Sequence, residues 1–160
     1  NGPAWGGNGV FLQVGDEPAD ITVEHNTVIQ TGNVITAYGG TRASPRPIHG
    51  FRFAHNIAIH NAYGIFGNGY GTGATAMNVY FPDGEIEGNV LAGGNSSRYP
   101  AGNAFPSVDD LMGQFVDPDG GDYRLRPDAF SSLSSDGKPP GVDHAALMKA
   151  MRGARGSGLR

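Results

Sequence analysis

The stretch from Ile21 to Tyr70 constrains the fold most tightly, because one pattern is written there twice. Laid over each other without a gap, ITVEHNTVIQTGNVITAYGG (Ile21 to Gly40) and FRFAHNIAIHNAYGIFGNGY (Phe51 to Tyr70) put Val23 on Phe53, His25 on His55, Asn26 on Asn56 and Ile35 on Ile65. A weaker third copy, EIEGNVLAGGN (Glu85 to Asn95), puts Ile86 on Val23 and Asn89 on Asn26. Self-similarity at a period of about 30 residues implies one supersecondary unit used repeatedly, each copy burying its apolar face against its neighbours.

At 160 residues the chain has material for one domain. Its 27 glycines and 11 prolines demand many turns, which short strands tolerate and long helices do not. Helix formers are scarce before the last twenty residues. A formal net charge of −4 argues against nucleic acid and against an anionic membrane surface as partners. The absence of cysteine excludes disulfides and thiolate zinc sites. No apolar run approaches the ~20 residues of a membrane span, and NGPAWGGNG at the start lacks the pattern of a signal peptide.

In chain order, Gly9 to Val14 alternates as a short strand, and Asp16 to Asp20 is a polar turn. Ile21–Glu24, Thr27–Gln30 and Val34–Tyr38 are three further strands, followed by the loop Thr41 to Pro47. The next turn repeats the plan, with a Gly- and Thr-rich loop from Gly69 to Asn78 and an insertion at Phe81 to Gly84 before the third copy. Three short strands per turn, each pairing in parallel with its equivalent in the next, predict a coil stacked on a coil. Val10, Ile35 and Ile65 then form one inward column, and Val23, Phe53 and Ile86 another. Asn26, Asn56 and Asn89 recur at one corner, where asparagine tolerates left-handed backbone and its amide can bond the copies above and below in a ladder.

The HNTVI, HNIAI and GNVLA corners resemble the repeat of right-handed parallel β-helix proteins, the pectin-lyase-like superfamily. The run QFVDPDGGDYRLRPD (Gln114 to Asp128), with Gly141-Val-Asp143, is similar to the closing segment many of them carry. The resemblance implies an all-β fold, a parallel β-helix solenoid over residues 1–105 with a C-terminal cap over 106–160. It also implies a secreted, periplasmic or cell-surface location. Within the cap, Asp143 is expected to N-cap a short helix that turns Leu147, Met148 and Met151 toward the core. Because residue 1 begins inside a coil, the chain is expected to be the C-terminal part of a longer helix, or to have its first coil covered by another subunit.

The interior of such a helix is filled, so chemistry is expected outside. Outward positions align as Phe11, Thr36, Phe66 and as Gln13, Tyr38, Asn68, a face of rings and amides suited to sugars. The adjoining loops bring Asp16 and Glu17, then Arg42 and Arg46, then Tyr70. Carboxylates and guanidiniums beside such a face could protonate a glycosidic oxygen, or neutralise a uronate and remove its C5 proton. That implies a polysaccharide lyase or glycoside hydrolase with Asp16, Glu17, Arg42 and Arg46 catalytic and Phe11, Gln13, Tyr38, Phe66, Asn68 and Tyr70 binding a glycan. The competing reading is a non-catalytic carbohydrate-binding, adhesin-like or structural module in which those charges are ordinary solvated loop residues. His25, His55, His49 and His60 could be metal ligands, but the stacked pair precedes the ladder asparagine in each copy, which favours packing and no metal. Asp117 to Asp122 has the spacing of a calcium-loop start without the bidentate glutamate, so a turn is expected there and no cofactor.

Overall fold

The computed structural model of the chain describes residues 9–133 and 135–156. The first copy of the repeat supplies β1 (Leu12–Gly15), β2 (Thr22–Glu24), β3 (Thr27–Val28) and β4 (Ile35–Tyr38), followed by a tight hairpin of β5 (Gly40–Thr41) and β6 (Ser44–Pro45). The second supplies β7 (Arg52–Ala54), β8 (Ile57–Ile59) and β9 (Ile65–Gly67), then β10 (Gly71–Thr72) and helix α1 (Ala74–Tyr80). Strands β11 (Glu85–Glu87) and β12 (Val90–Ala92) form the third. The C-terminal part is α2 (Val108–Gly113), the strands β13 (Phe115–Asp117) and β14 (Asp122–Leu125), and α3 (His144–Gly156).

Equivalent strands of successive copies pair in parallel. Val23, Phe53 and Ile86 stand in register across β2, β7 and β11, as the repeat requires. In the sheet of β1, β4 and β9 the register is Leu12 on Ile35 on Ile65, so Leu12 takes the inward place assigned to Val10. The expected offset is therefore wrong by two residues in that first strand, which preserves the alternation of faces but changes every partner.

The fold class nevertheless departs from expectation. The described residues form a small mixed α/β domain in place of the all-β right-handed parallel β-helix. Five separate sheets of two to four strands run in mixed directions, β10 lies antiparallel to β9, and the pairs β5–β6 and β13–β14 are antiparallel. No solenoid extends through them. The strands span only two to four residues, and three α-helices are added. Helix α1 replaces the loop expected to reach Asn78, because ATAMNVY offers Ala76, Met77 and Tyr80 at helical spacing to the core.

Alternation along the strands divides the interior in two. Phe53, Ile35, Ile65, Ala58 and Leu91 face a central cluster shared by the three sheets that the repeat builds. Ile57, Val90 and Ala92 face a second cluster with Leu111 and Phe115 from the C-terminal part. Strands β8 and β12 are thus buried on both faces, which explains why IAI and VLA lack polar alternation.

The corner asparagines form a hydrogen-bonded series. Asn26 donates through its backbone N–H and Nδ2 to Asn56 Oδ1 (3.0 and 2.9 Å), and Asn56 does the same to Asn89 Oδ1 (2.9 and 3.1 Å). Asn89 continues it to Asn103 Oδ1 at 3.0 Å, a rung the repeat alignment missed although Gly102-Asn103 echoes Gly88-Asn89. The left-handed conformation belongs to the preceding residue in each case: His25 (φ 52°), His55 (53°), Gly88 (65°) and Gly102 (84°). The asparagines therefore supply hydrogen bonds, and the corner's backbone freedom comes from its neighbour. At Gly88 a Cβ would also stand 2.4 Å from His55 Nδ1.

The C-terminal helix also differs from expectation. Asp143 Oδ1 accepts from Ala146 N–H at 2.9 Å, as an N-cap does. Leu147, Met148 and Met151, however, are 43, 48 and 44% exposed and do not reach the core. The second cluster is instead packed by Leu111, Phe115, Tyr123 and Leu125, with no residue of α3 among them.

Candidate functional site

Several of the residues singled out by sequence, Asp16, Glu17, Tyr38 and Arg46 among them, meet at the end of the β1–β4–β9 sheet. Tyr38 at the end of β4 opposes Gly15, where a side chain would collide with its ring: a Cβ there would sit 2.5 Å from Tyr38 Cδ2. The chain then turns through Asp16 and Glu17, both left-handed (φ 61° and 60°), a conformation costly for residues other than glycine. The β5–β6 hairpin carries Arg46 back over that turn, placing its Nη1 3.5 Å from Asp16 Oδ1 and its Nε 3.8 Å from Glu17 Oε2. Tyr70 donates its hydroxyl to the Arg42 carbonyl at 2.5 Å. Its ring packs edge-on against Tyr80, 5.8 Å away.

The outward face of the sheet is a row of Gln13, Thr36 and Phe66 in register, with Thr72 next to Phe66 on β10. Tyr38 is 39% exposed, and Gln13 and Asn68 are exposed beside it. Phe11 does not belong to this face. Its ring lies 6.0 Å from that of Phe53 and packs on the central cluster, because Phe11 stands just before β1, where strand alternation no longer sets its facing. Tyr70 is also withdrawn, since its hydroxyl and ring are engaged within the domain.

Tyr63, which the sequence reading passed over, is 54% exposed and stands 5.9 Å from Phe66. The repeat could have found it. Tyr63 falls on Asn33 of the first copy, and Asn33 Nδ2 likewise reaches the outward residue three positions on, donating to Thr36 Oγ1 at 3.2 Å. Each of the first two copies thus sets a side chain from the approach to its strand against the outward row.

The histidines go to separate places. His25 and His55 stack with ring centroids 5.1 Å apart. His49 faces Asp83, and Tyr99 Oη meets His60 Nε2 at 2.8 Å. Among the described residues no group of three or more His, Asp or Glu is arranged to hold a metal ion. Of the calcium-like run, Asp117 Oδ1 accepts from Gly120 N–H and Asp122 is held by Arg124, so both serve the β13–β14 turn.

His25 Nε2 lies 2.8 Å from Asp136 Oδ2, tying the C-terminal segment to the first copy. A backbone bond from Lys138 N–H, and then His25, lower the Asp136 carboxyl from 3.8 to about 2. A depressed carboxyl pKa contributes stability that is complete above the unfolded value and is lost as pH falls through the folded one. Between pH 3.8 and about 2, the wild-type melting temperature should therefore fall more steeply than that of Asp136→Asn. Parallel curves in a pH series of thermal melts would dismiss this tie.

Together these features define a small mixed α/β domain with an exposed face of aromatic rings and amides beside a compact charged turn. Compared with models of known protein families, with curated proteins and with solved structures, the chain matches none. With several small separate sheets of mixed direction and no matching family model, the resemblance to the pectin-lyase-like superfamily is not upheld. Among the described residues no helix is long and apolar enough to cross a membrane.

Proposed function

We propose that the chain is a non-catalytic carbohydrate-binding domain that holds a glycan on the outward face of β1, β4 and β9. The observation that carries this reading is the exposure of Tyr38 and Tyr63 beside Phe66, interleaved with the amides of Gln13 and Asn68. Rings stack on the C–H faces of sugars, and amides give and accept the hydrogen bonds of adjacent hydroxyls. A binding role is favoured over cleavage by the state of the charged turn. A general acid for glycosidic cleavage needs a carboxyl shielded from water. The Asp16 and Glu17 side chains are 65 and 57% exposed and face Arg46. A glycan ligand is consistent with a secreted, periplasmic or cell-surface protein.

The test is a glycan array followed by titration calorimetry on the best ligand. Tyr63→Ala and Tyr38→Ala should each weaken binding about three- to tenfold, with the melting temperature little changed, since each removes one stacking ring from the surface. Binding that survives the double replacement would sink the proposal. Release of reducing ends, abolished by Asp16→Asn, would favour the cleavage reading instead.

A further inference from the structure

Every described side chain of α3 from Ala145 to Arg152 is exposed. An isolated helix of 13 residues is marginal in water, and this one places Leu147, Met148 and Met151 on a common side. The helix has no acidic residue, whereas Lys149 and Arg152 flank the apolar side chains. It is an apolar and cationic surface looking for an apolar and anionic one.

An apolar groove and an anionic hollow stand side by side at the turn between α1 and β11. A groove of about 260 Å³ runs between α1 and β11, floored by Met77, Phe81 and Ile86 and walled by Pro82, Tyr99 and Pro100. Across the same Phe81–Glu85 turn lies a hollow of similar volume lined by Asp20, Asp83 and Glu85 around Arg52. The Asp83 and Glu85 side chains are 52 and 63% exposed, although Asp83 faces His49 and Glu85 is paired with Arg52. Arg98 also borders the groove, but its guanidinium is turned to donate to Thr72 Oγ1 at 3.1 Å.

We propose that α3 of one copy docks in the groove between α1 and β11 of a second copy, with Lys149 and Arg152 meeting Asp83 and Glu85. Charge decides against the nearer candidate, the cleft of about 300 Å³ at the root of α3 itself. Pro139, Pro140 and Val142 make that cleft apolar, but Arg124, paired with Asp122, and Lys138 outnumber Asp143 on its border, whereas Asp20, Asp83 and Glu85 outnumber Arg52 in the hollow beside the groove. The net charge of −4 likewise opposes an anionic lipid surface as the occupant. The two surfaces lie on different copies of the repeat, the root of α3 at β3 of the first, where Val142 N–H donates to Thr27 Oγ1, and the groove beside β11 of the third. The contact is consequently heterologous, and each copy can offer its helix to one neighbour and its groove to another.

Sedimentation velocity over a concentration series tests this. The wild type should self-associate progressively, and K149E/R152E and D83K/E85K should each weaken association about tenfold or more. An equimolar mixture of the two variants should associate again, because every contact in it joins opposite charges. Leu147→Ser/Met151→Ser changes only exposed positions and should give the same loss, and D83N/E85Q keeps the turn's hydrogen-bonding groups while weakening association. A wild type that stays monomeric at all concentrations overturns the proposal. So does undiminished association of D83K/E85K, which would mean pairing of α3 with α3. Flotation of a monomeric wild type with phosphatidylcholine–phosphatidylserine vesicles, lost in K149E/R152E, would overturn it in favour of lipid.

Discussion

Asn56→Leu should lower the stability of the domain by about 3–5 kcal/mol, measured as a shift in the urea midpoint at unchanged slope. Asn56 has no exposed surface. Its Oδ1 accepts two hydrogen bonds from Asn26, and its Nδ2 donates to the Val23 carbonyl at 2.8 Å and to Asn89 Oδ1 at 3.1 Å. Leucine fills the volume but answers none of these groups, and each buried polar group left without a partner costs about 1–3 kcal/mol. The Asn56 backbone N–H still reaches Asn89 Oδ1, so the loss stays below the sum of the broken bonds. Asn103→Leu, at the partly exposed end of the series, should cost less than half as much. Equal losses at both positions would show that burial does not set the value of these bonds.

Phe53→Ala should cost a similar amount, about 3–5 kcal/mol, by a different mechanism. Phe53 is fully buried at the centre of β7, between Val23 and Ile86 in register, with Phe11 against its ring. Truncation removes apolar contacts from three strands at once and leaves a cavity that paired backbones on both sides cannot close. Phe66→Ala, at the half-exposed outward position of the next sheet, should cost under about 1.5 kcal/mol. The contrast separates the aromatic residue that holds the domain together from the one assigned to its ligand. A large loss at Phe66 would mean that the outward face is structural and would remove the support for glycan binding there.

What could be read from the residues alone was the repeat and whatever follows from its period. The pairing of Val23, Phe53 and Ile86 and the alignment of Asn26, Asn56 and Asn89 are consequences of a repeat that must place like on like. The outward face was legible in part. Tyr38, Phe66, Gln13 and Asn68 were found through alternation, whereas Phe11 was misassigned because it stands before the first residue of β1, where alternation does not apply. Tyr63 was missed because its role depends on an approach to the strand and not on a position within it.

The sequence by itself determined which residues alternate, which recur and which corners need a left-handed backbone, since these depend on interactions a few residues apart or on the repeat's own periodicity. Only the tertiary structure decided the rest. It made ATAMNVY a helix packed on β9 and broke the pairing into small separate sheets of mixed direction. It also buried β8 and β12 on both faces and left α3 uncovered. Short strands pair for only two to four residues, so local preference is weak, and competition for the two interior clusters sets the outcome.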